Sequence, residues 1–300
     1  MAAQAIRSGD ADFLIAGGAE SMTRAPYVLG KAGSAFGRDQ RIEDTTLGWR
    51  FVNPRMNREW TISLGMTAEK VARQYGITRE AQDEFALESQ RRAAAAIRDG
   101  VFTDEIVPVA IPQRKGDPIA VTKDEGIRPD TTAQSLSALR PAFAKDGTIT
   151  AGSASQISDG ACAVVVMRKS KAESLGLTWL CEIGAHGMVS GPDTSLHAQP
   201  ANAIAKACTK DGITPADLDL LEINEAFAPV VMAWMRETGF DRAKVNVNGG
   251  AIALGHPLGA TGARLMTTLL HELERTGGRY GLQTMCEGGG QANVTIIERL

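Results

Sequence analysis

The sequence predicts an α/β fold, because runs typical of buried strands alternate with helical stretches through its second half. The run at 163–167 contains only Ala, Val and Met, as expected for a buried strand. A later stretch has the i, i+3, i+4, i+7 apolar stripe of a helix, formed by Met266, Leu269, Leu270 and Leu273. With 300 residues and 43% hydrophobic content, the chain can bury a substantial core as one large domain or two smaller ones.

The first predicted elements are the end of a helix at residues 2–8 and a short buried strand at 13–16. Gly9 stops the helix, and the strand runs into a Gly17-Gly18 turn. Because the helix starts at Met1 without an N-cap, we expect the start of this element to be missing. The strand would then lack covering neighbours and expose an apolar edge.

Residues 26–141 are rich in Pro, Gly and charge, which predicts loops interrupted by helices. Helical stretches lie near 67–74 and 79–98. Thr78 is a good N-cap for the second stretch, and Gly100 ends it. This part of the chain is therefore typical of an elaborate insertion rather than of a core.

Beyond residue 152, strands and helices alternate regularly. The predicted strands are 163–167, 220–224, 245–248, 282–286 and 294–297. The predicted helices are about 200–210, the stretch after 224 as far as Gly239, and the striped helix that ends at Gly277-Gly278.

Composition excludes several classes of partner. A formal net charge of −3 provides no basic field for nucleic acid or an anionic membrane surface, so a small-molecule substrate is expected. The longest apolar runs are far shorter than the roughly 20 residues that span a bilayer, and the first residues lack a signal-peptide pattern. We therefore expect a cytoplasmic protein. Its four widely spaced cysteines are expected to be free thiols.

Three short segments in the last third of the chain, two of them glycine-rich, carry groups that can move protons or stabilise an oxyanion. They are 224–228 (Asn-Glu-Ala-Phe-Ala), 248–257, which ends in Gly-His-Pro, and 286–290 (Cys-Glu-Gly-Gly-Gly). Glycines let backbone N–H groups approach a ligand without obstruction by a Cβ atom. The combination of an amide, an imidazole and a thiol favours chemistry on acyl groups.

Each of these residues is a candidate with a structural alternative. Cys286 follows a strand, and a thiol with an ordinary pKa of about 8.5 becomes a usable base with modest assistance. His256 is held in a stiff turn by the following proline, and Asn224 stands at a strand end, where its amide can position a water or donate to an enolate oxygen. Alone, the cysteine would be a small buried apolar residue, the histidine a loop residue and the Asn-Glu pair a helix cap. Their joint occurrence favours the catalytic interpretation.

In their order along the chain and in their residues, the three segments resemble those of the thiolases, which make or cleave the bond between two acyl units carried on coenzyme A. The resemblance extends from Ala2 to Leu300 and includes Ile15–Met22. It points away from ketoacyl synthases, which share the architecture but use a different histidine set. It implies coenzyme A as a substrate, no metal or other cofactor, and a homodimer or homotetramer in the full-length form.

The resemblance also assigns roles. Cys286 matches the acid/base cysteine, and His256 matches the histidine that activates the nucleophilic cysteine and donates to the thioester oxygen. The N–H of Gly288 matches an oxyanion donor. The positions that match contacts to the pantetheine arm of coenzyme A are Ser155, Phe143, Ala226 and Phe227. The remaining histidines and cysteines are expected to be structural: His186, His197, His271, Cys162, Cys181 and Cys208.

The implied architecture is the layered α-β-α-β-α fold, with most of the first α/β half missing. Its expected divisions are a remnant of the N-terminal core (1–26), a loop domain covering coenzyme A (27–147), the last strands of the N-terminal core (148–178) and the C-terminal core (179–300). Family members often have His-Met-Gly where this chain has Ser63-Leu64-Gly65, so contacts to the acyl chain or pantetheine are expected to differ there.

The resemblance also places the nucleophilic cysteine, in a Cys-x-Ser-Gly stretch, about ten residues before the position of Met1. The expected function is that of an amino-terminally truncated thiolase, active in thiolysis of 3-ketoacyl-CoA or in condensation of acetyl-CoA units. We expect the truncated chain itself to be inactive. The alternative is a non-catalytic remnant that binds acyl-CoA or a partner.

Overall fold

The computed structural model describes residues 1–191 and 198–300. The strands are β1 (Phe13–Ser21), β2 (Tyr27–Leu29), β3 (Ile42–Asp44), β4 (Val109–Ile111), β5 (Ile119–Val121), β6 (Asp159–Met167), β7 (Glu182–Ser190), β8 (Leu220–Ile223), β9 (Tyr280–Glu287) and β10 (Gln291–Glu298). The helices are α1 (Ala2–Ser8), α2 (Leu64–Gln74), α3 (Arg79–Arg98), α4 (Ala133–Ser137), α5 (Lys169–Ser174), α6 (Ala198–Asp211), α7 (Ala228–Thr238), α8 (Ala251–Leu254) and α9 (Leu258–Thr276). This alternation confirms the predicted α/β class.

The larger sheet has the strand order β7-β10-β9-β8. Its β8 and β9 are parallel, with Ile223 opposite Thr284, and its other neighbours are antiparallel. Beyond the last paired residue, the N–H of Asn224 still donates to the carbonyl of Thr284 at 3.0 Å. Because β8 and β9 run in the same direction, their carboxyl ends bring Asn224 and Cys286 to one edge of the sheet.

Side chains of β8 alternate between the two faces of this sheet, and each face is covered by helices. Leu221 and Ile223 belong to the main core cluster, which includes residues of α6 and α7. Leu220 instead packs with Leu269 and Leu273 of α9. The sheet is therefore enclosed between α9 on one face and α6 with α7 on the other.

Helix α9 also contacts the smaller sheet, in which β1 and β6 pair antiparallel from Phe13 opposite Met167 to Ser21 opposite Asp159. The approach is close: a Cβ atom on Gly18 would lie 1.9 Å from the carbonyl oxygen of Gly259, so glycine is required at this contact. The layers accordingly follow the order β1/β6, α9, the four-stranded sheet, and α6 with α7.

Several predicted elements differ from the structure. The strand at 13–16 extends to Ser21 and is not buried on both sides, since Phe13 and Ile15 are 58% and 71% exposed. This agrees with the expectation of an exposed apolar surface there. Residues 245–248 do not form a strand, because only Val245 makes a bridge, to Leu221, before the chain turns at Asn246 with φ 46°.

The segment 26–141 was expected to lie outside the core, and this prediction is wrong for its helices. Phe85, Ala86 and Leu87 of α3 belong to the same cluster as β8, and Val71 of α2 packs with Ala233 of α7. The buried face of α3 contains several alanines, which let the helix pack closely against its neighbours. Because alanine is small and only weakly apolar, the apolar pattern of α3 is weak in the sequence. Helix α2 begins at Leu64, earlier than predicted, because Ser63 caps it.

Among the described residues, none of the helices combines the length and apolar character needed to cross a bilayer.

Candidate active site

The site is built at the carboxyl ends of β8 and β9, where the predicted amide and thiol lie. Asn224 is 1% exposed and directly follows β8, while Cys286 is partly buried near the end of β9. Cys286 packs against a small apolar cluster that contains Ala226 and Phe227. The parallel register therefore brings the 224–228 and 286–290 segments together, as the sequence predicted.

The third predicted residue, His256, is joined to Asn224 by a hydrogen bond. Asn224 Nδ2 lies 3.1 Å from His256 Nε2, and His256 Nδ1 lies 2.6 Å from Thr261 Oγ1. Thr261 uses its hydroxyl hydrogen to donate to the carbonyl of Pro257 at 2.9 Å, so its oxygen accepts from Nδ1–H. The resulting neutral tautomer leaves the Nε2 lone pair facing Asn224, where it can accept a proton.

The turn before His256 is fixed by close contacts. Gly255 has φ +84°, and a Cβ atom there would lie 2.1 Å from Ser158 Oγ. The N–H of His256 donates to the carbonyl of Gln156 at 3.3 Å. Glycine is therefore needed at this position both for its backbone conformation and for space, and the histidine is held against the 156–158 segment.

A buried carboxylate, that of Glu225, anchors the same region. Glu225 is completely buried and accepts hydrogen bonds from Ser89 Oγ at 2.6 Å and Asn246 Nδ2 at 2.9 Å. It also accepts from the N–H of Ile252 at 3.3 Å. Glu225 thus ties the end of β8 to α3 and to the turn that leads to His256. The Asn-Glu pair is not a helix cap, since the N-cap of α7 is Phe227.

Burial sets the protonation states of the two candidate acid/base groups. Burial, and then the positive charge of Arg264, lowers the pKa of His256 to about 4. Burial raises the pKa of Cys286 to about 11. Both groups are therefore neutral near pH 7. The sequence predicts a thiol that modest assistance turns into a usable base, whereas here desolvation outweighs the help from the backbone and raises the pKa of the thiol. Its role as a base remains a prediction.

The four residues assigned to the pantetheine arm come together beside Cys286. The N–H of Ser155 donates to the carbonyl of Ala226 at 2.9 Å, and Phe143 meets Phe227 edge to face with ring centroids 5.5 Å apart. Phe143, Ala226, Phe227 and Cys286 all belong to one apolar cluster. Their grouping is an observation, whereas contact with coenzyme A remains a prediction.

Gly288 lies in the turn after β9, as predicted, and its role as an oxyanion donor remains a prediction. Gly289 and Gly290 both have positive φ angles, of +83° and +73°. A Cβ atom on Gly288 would lie 3.2 Å from the Trp49 indole and 3.9 Å from Leu64. The glycine turn is therefore covered by residues of the 27–147 segment.

Sequence reasoning missed three of these contributors: Thr261, Gln156 and Trp49. Thr261 lies five residues after His256, in the first turn of α9. This short spacing could have indicated that its hydroxyl group reaches the imidazole. Gln156 and Trp49 are far from the motifs along the chain, and no local pattern marks them.

The other cysteines, and the two other histidines that the structure describes, lie away from this edge. Cys208 is in the main core, Cys181 packs against the α9 cluster, and Cys162 Sγ lies 3.5 Å from Thr267 Oγ1. His186 contacts Gln4, and His271 lies 3.8 Å from Glu274. His197 lies outside the described residues. Within the ranges 1–191 and 198–300, no group of His, Cys, Asp and Glu could hold a metal ion.

Comparison with known families identifies the arrangement. The model for the thiolase N-terminal domain matches residues 1–170, and the model for the thiolase C-terminal domain matches residues 177–299. The chain belongs to the thiolase family. Because both domain models match, the expectation that most of the first α/β half is missing is not supported.

Similar thiolase-family proteins include a probable acetyl-CoA acetyltransferase of Mycolicibacterium smegmatis, 54% identical over 300 residues, which are 100% of this chain and 76% of the relative. A beta-ketoadipyl-CoA thiolase of Acinetobacter baylyi is 49% identical, with 100% of this chain and 76% of the relative covered. The human mitochondrial 3-ketoacyl-CoA thiolase, whose crystal structure in complex with CoA is known, is 40% identical in sequence to this chain. The two structures superpose with a TM-score of 0.90, and the match covers 99% of this chain and 73% of the human one. The chain thus spans about three quarters of these relatives.

Proposed function

We propose that this thiolase-family chain performs proton transfer at the α-carbon of a coenzyme A thioester, in thiolysis of a 3-ketoacyl-CoA or in condensation of acetyl-CoA units. The observation that carries the proposal is the placement of Cys286 at the same edge of the sheet as the hydrogen-bonded Asn224–His256 pair, with the Phe143–Phe227 cluster packed beside Cys286. The similarity to a probable acetyl-CoA acetyltransferase supports acetyl-CoA as one substrate.

In the proposed reaction, the sulfur of Cys286 takes the proton from the α-carbon in condensation and returns it in thiolysis. The raised pKa of this thiol makes its thiolate a strong base and its neutral form a competent donor to an enolate carbon. Asn224 Oδ1 is buried and has no hydrogen-bond partner within the described ranges. It is therefore available to a water or to a polar group of the substrate.

His256 is suited to accept a proton first and donate it later. Its Nε2 lone pair can take the proton of a nucleophilic thiol, and the resulting Nε2–H can then donate to a thioester oxygen. The N–H of Gly288 is the proposed second donor to the oxyanion.

The covalent step needs a second thiol, which the resemblance places in a Cys-x-Ser-Gly stretch. Cys162, Cys181 and Cys208 lie in other parts of the described structure and do not supply it. We therefore propose that residues 1–300 by themselves exchange α-protons but do not turn over 3-ketoacyl-CoA. The cytoplasmic location, the homo-oligomeric state and the absence of a metal remain predictions.

Two assays on the purified 300-residue chain test this proposal together. The first follows deuterium entry from D₂O into the acetyl group of acetyl-CoA by mass spectrometry, with the expected rate at least about tenfold above the uncatalysed rate. The second follows cleavage of acetoacetyl-CoA by free coenzyme A, for which no turnover is expected. A preparation that binds acetyl-CoA without exchange would favour the non-catalytic alternative, and robust cleavage would contradict the proposed need for another thiol.

A further inference from the structure

Helix α9 begins directly after the turn that carries His256, and its first turn is not capped from within the helix. The N-cap residue is Pro257, and in the described part of the chain no side-chain cap bond is formed there. A proline side chain has no acceptor, so the residue that restricts the His256 backbone to an extended conformation cannot also cap the helix. The carbonyl of Pro257 accepts from the N–H of Thr261 at 3.0 Å, and that bond does not satisfy the N–H of Gly259.

The acceptor for this N–H comes from Glu20, 239 residues away in the sequence and on strand β1. Oε2 of Glu20 lies 3.1 Å from the backbone nitrogen of Gly259 and accepts its hydrogen. A side-chain oxygen that accepts from an N–H of the first helical turn does the work of an N-cap. The smaller sheet therefore caps α9 from outside the helix.

Backbone contacts hold this sheet close to the start of α9. A Cβ atom on Gly160 would lie 2.8 Å from Pro257 Cγ, and Gly160 pairs with Glu20 in the sheet. A Cβ atom on Gly259 would lie 2.5 Å from the carbonyl oxygen of Ala19. Neither glycine can carry a side chain unless the strand or the helix moves, so the Glu20 carboxylate is held at a fixed place beside the helix.

The same turn of α9 carries the group that fixes the imidazole. Thr261 Oγ1 lies 2.6 Å from His256 Nδ1, and the Thr261 hydroxyl donates to the carbonyl of Pro257 at 2.9 Å. The Glu20 carboxylate and the imidazole are therefore joined by two hydrogen bonds and the helical turn between them. Without its cap the turn would fray, and the Thr261 hydroxyl would no longer be held against Nδ1.

We propose that Glu20 is a positioning residue for His256: by capping α9 from the neighbouring sheet, it keeps the Thr261 hydroxyl bonded to Nδ1 and leaves the Nε2 lone pair free. The use of Nε2 as a proton acceptor rests on the proposed function. The competing interpretation is that Glu20 only fastens β1 to α9, and that the imidazole keeps its tautomer without it.

Nitrogen-15 NMR of the histidine side chains in the 300-residue chain tests this proposal without substrate, with the His256 signals assigned by a His256→Gln variant. The parent chain should show one neutral tautomer of His256, protonated at Nδ1. In Glu20→Ala this single signal should be lost, and the Nε2–H tautomer should appear beside it. Hydrogen-exchange protection of the Gly259 N–H should fall by about fivefold or more, the effect typical of a lost helix cap.

Two further variants supply controls. Glu20→Gln keeps an oxygen that can accept from Gly259, so it should retain the parent tautomer and the parent protection. Asp12→Ala removes a carboxylate that lies just before β1, 3.7 Å from Arg168. Eight residues of extended chain, about 26 Å, separate Asp12 from Glu20, so this variant should leave His256 unchanged.

Each outcome decides between the two interpretations. A second tautomer in Glu20→Ala that neither Glu20→Gln nor Asp12→Ala shares supports the proposal. If Glu20→Ala does not fold, Glu20→Leu, which fills more of the same space without an acceptor, should show the second tautomer instead. The proposal is overturned if a folded variant without the acceptor keeps the single tautomer, or if Glu20→Gln behaves like Glu20→Ala, even where α-proton exchange is observed. Failed exchange in a parent chain with the expected tautomer would instead count against the proposed function alone.

Discussion

Replacing Cys286 by alanine is expected to slow deuterium exchange into acetyl-CoA by about a thousandfold, the range typical for loss of a positioned general base. The sulfur is the group at this edge that can take an α-proton, because His256 has a pKa of about 4 and is a weak base. Binding of acetyl-CoA, measured by calorimetry, should change little, since the substitution removes only one atom from the apolar cluster.

The matched control is Cys162→Ala, which removes a partly buried thiol on β6 that contacts Thr267 rather than the site. It should exchange deuterium at the parent rate. If Cys286→Ala keeps more than about a tenth of the parent rate while the control is unaffected, another group is the base.

The second large effect is expected from Glu225→Ala, which should lower the free energy of unfolding by about 3 to 5 kcal/mol. The change leaves the hydrogen-bond donors of Ser89, Asn246 and Ile252 buried without their acceptor. The turn before His256 should loosen as well, so exchange should fall together with stability. Urea unfolding, followed by circular dichroism, measures the difference in the free energy of unfolding between Glu225→Ala and the parent chain.

Glu274→Ala provides the comparison for this measurement, because the Glu274 side chain is exposed and lies 3.8 Å from His271 rather than in the buried network of Glu225. The free energy of unfolding of the Glu274→Ala variant should stay within about 0.5 kcal/mol of that of the parent chain. A loss below about 1 kcal/mol in Glu225→Ala would show that water or rearranged side chains satisfy the freed donors.

The sequence was most informative where chemistry and backbone geometry coincide. The segments that carry Asn224 and Cys286 could be predicted to meet, because parallel strands deliver their ends to one edge. The glycines themselves indicated close approach, which the contact of Gly255 with Ser158 now explains.

Other features depend on tertiary contacts that a local pattern does not encode. The core position of α3 follows from small side chains packing tightly, which leaves little amphipathic signal. Val245–Asn248 has β-forming residues, yet Asn246 turns the chain to donate to Ile223 and Glu225. The neutral state of Cys286 reflects burial, and burial is a property of the folded protein rather than of the motif.

The pH dependence of exchange tests most directly whether Cys286 is the base. Burial raises the pKa of this thiol to about 11, so below that pH the thiolate is the minor form and its fraction increases with pH. The part of the exchange rate that Cys286→Ala abolishes should therefore rise about tenfold per pH unit between about pH 7 and pH 9. A rate that is flat over this range would indicate a base already deprotonated at pH 7, such as His256, and would contradict the account.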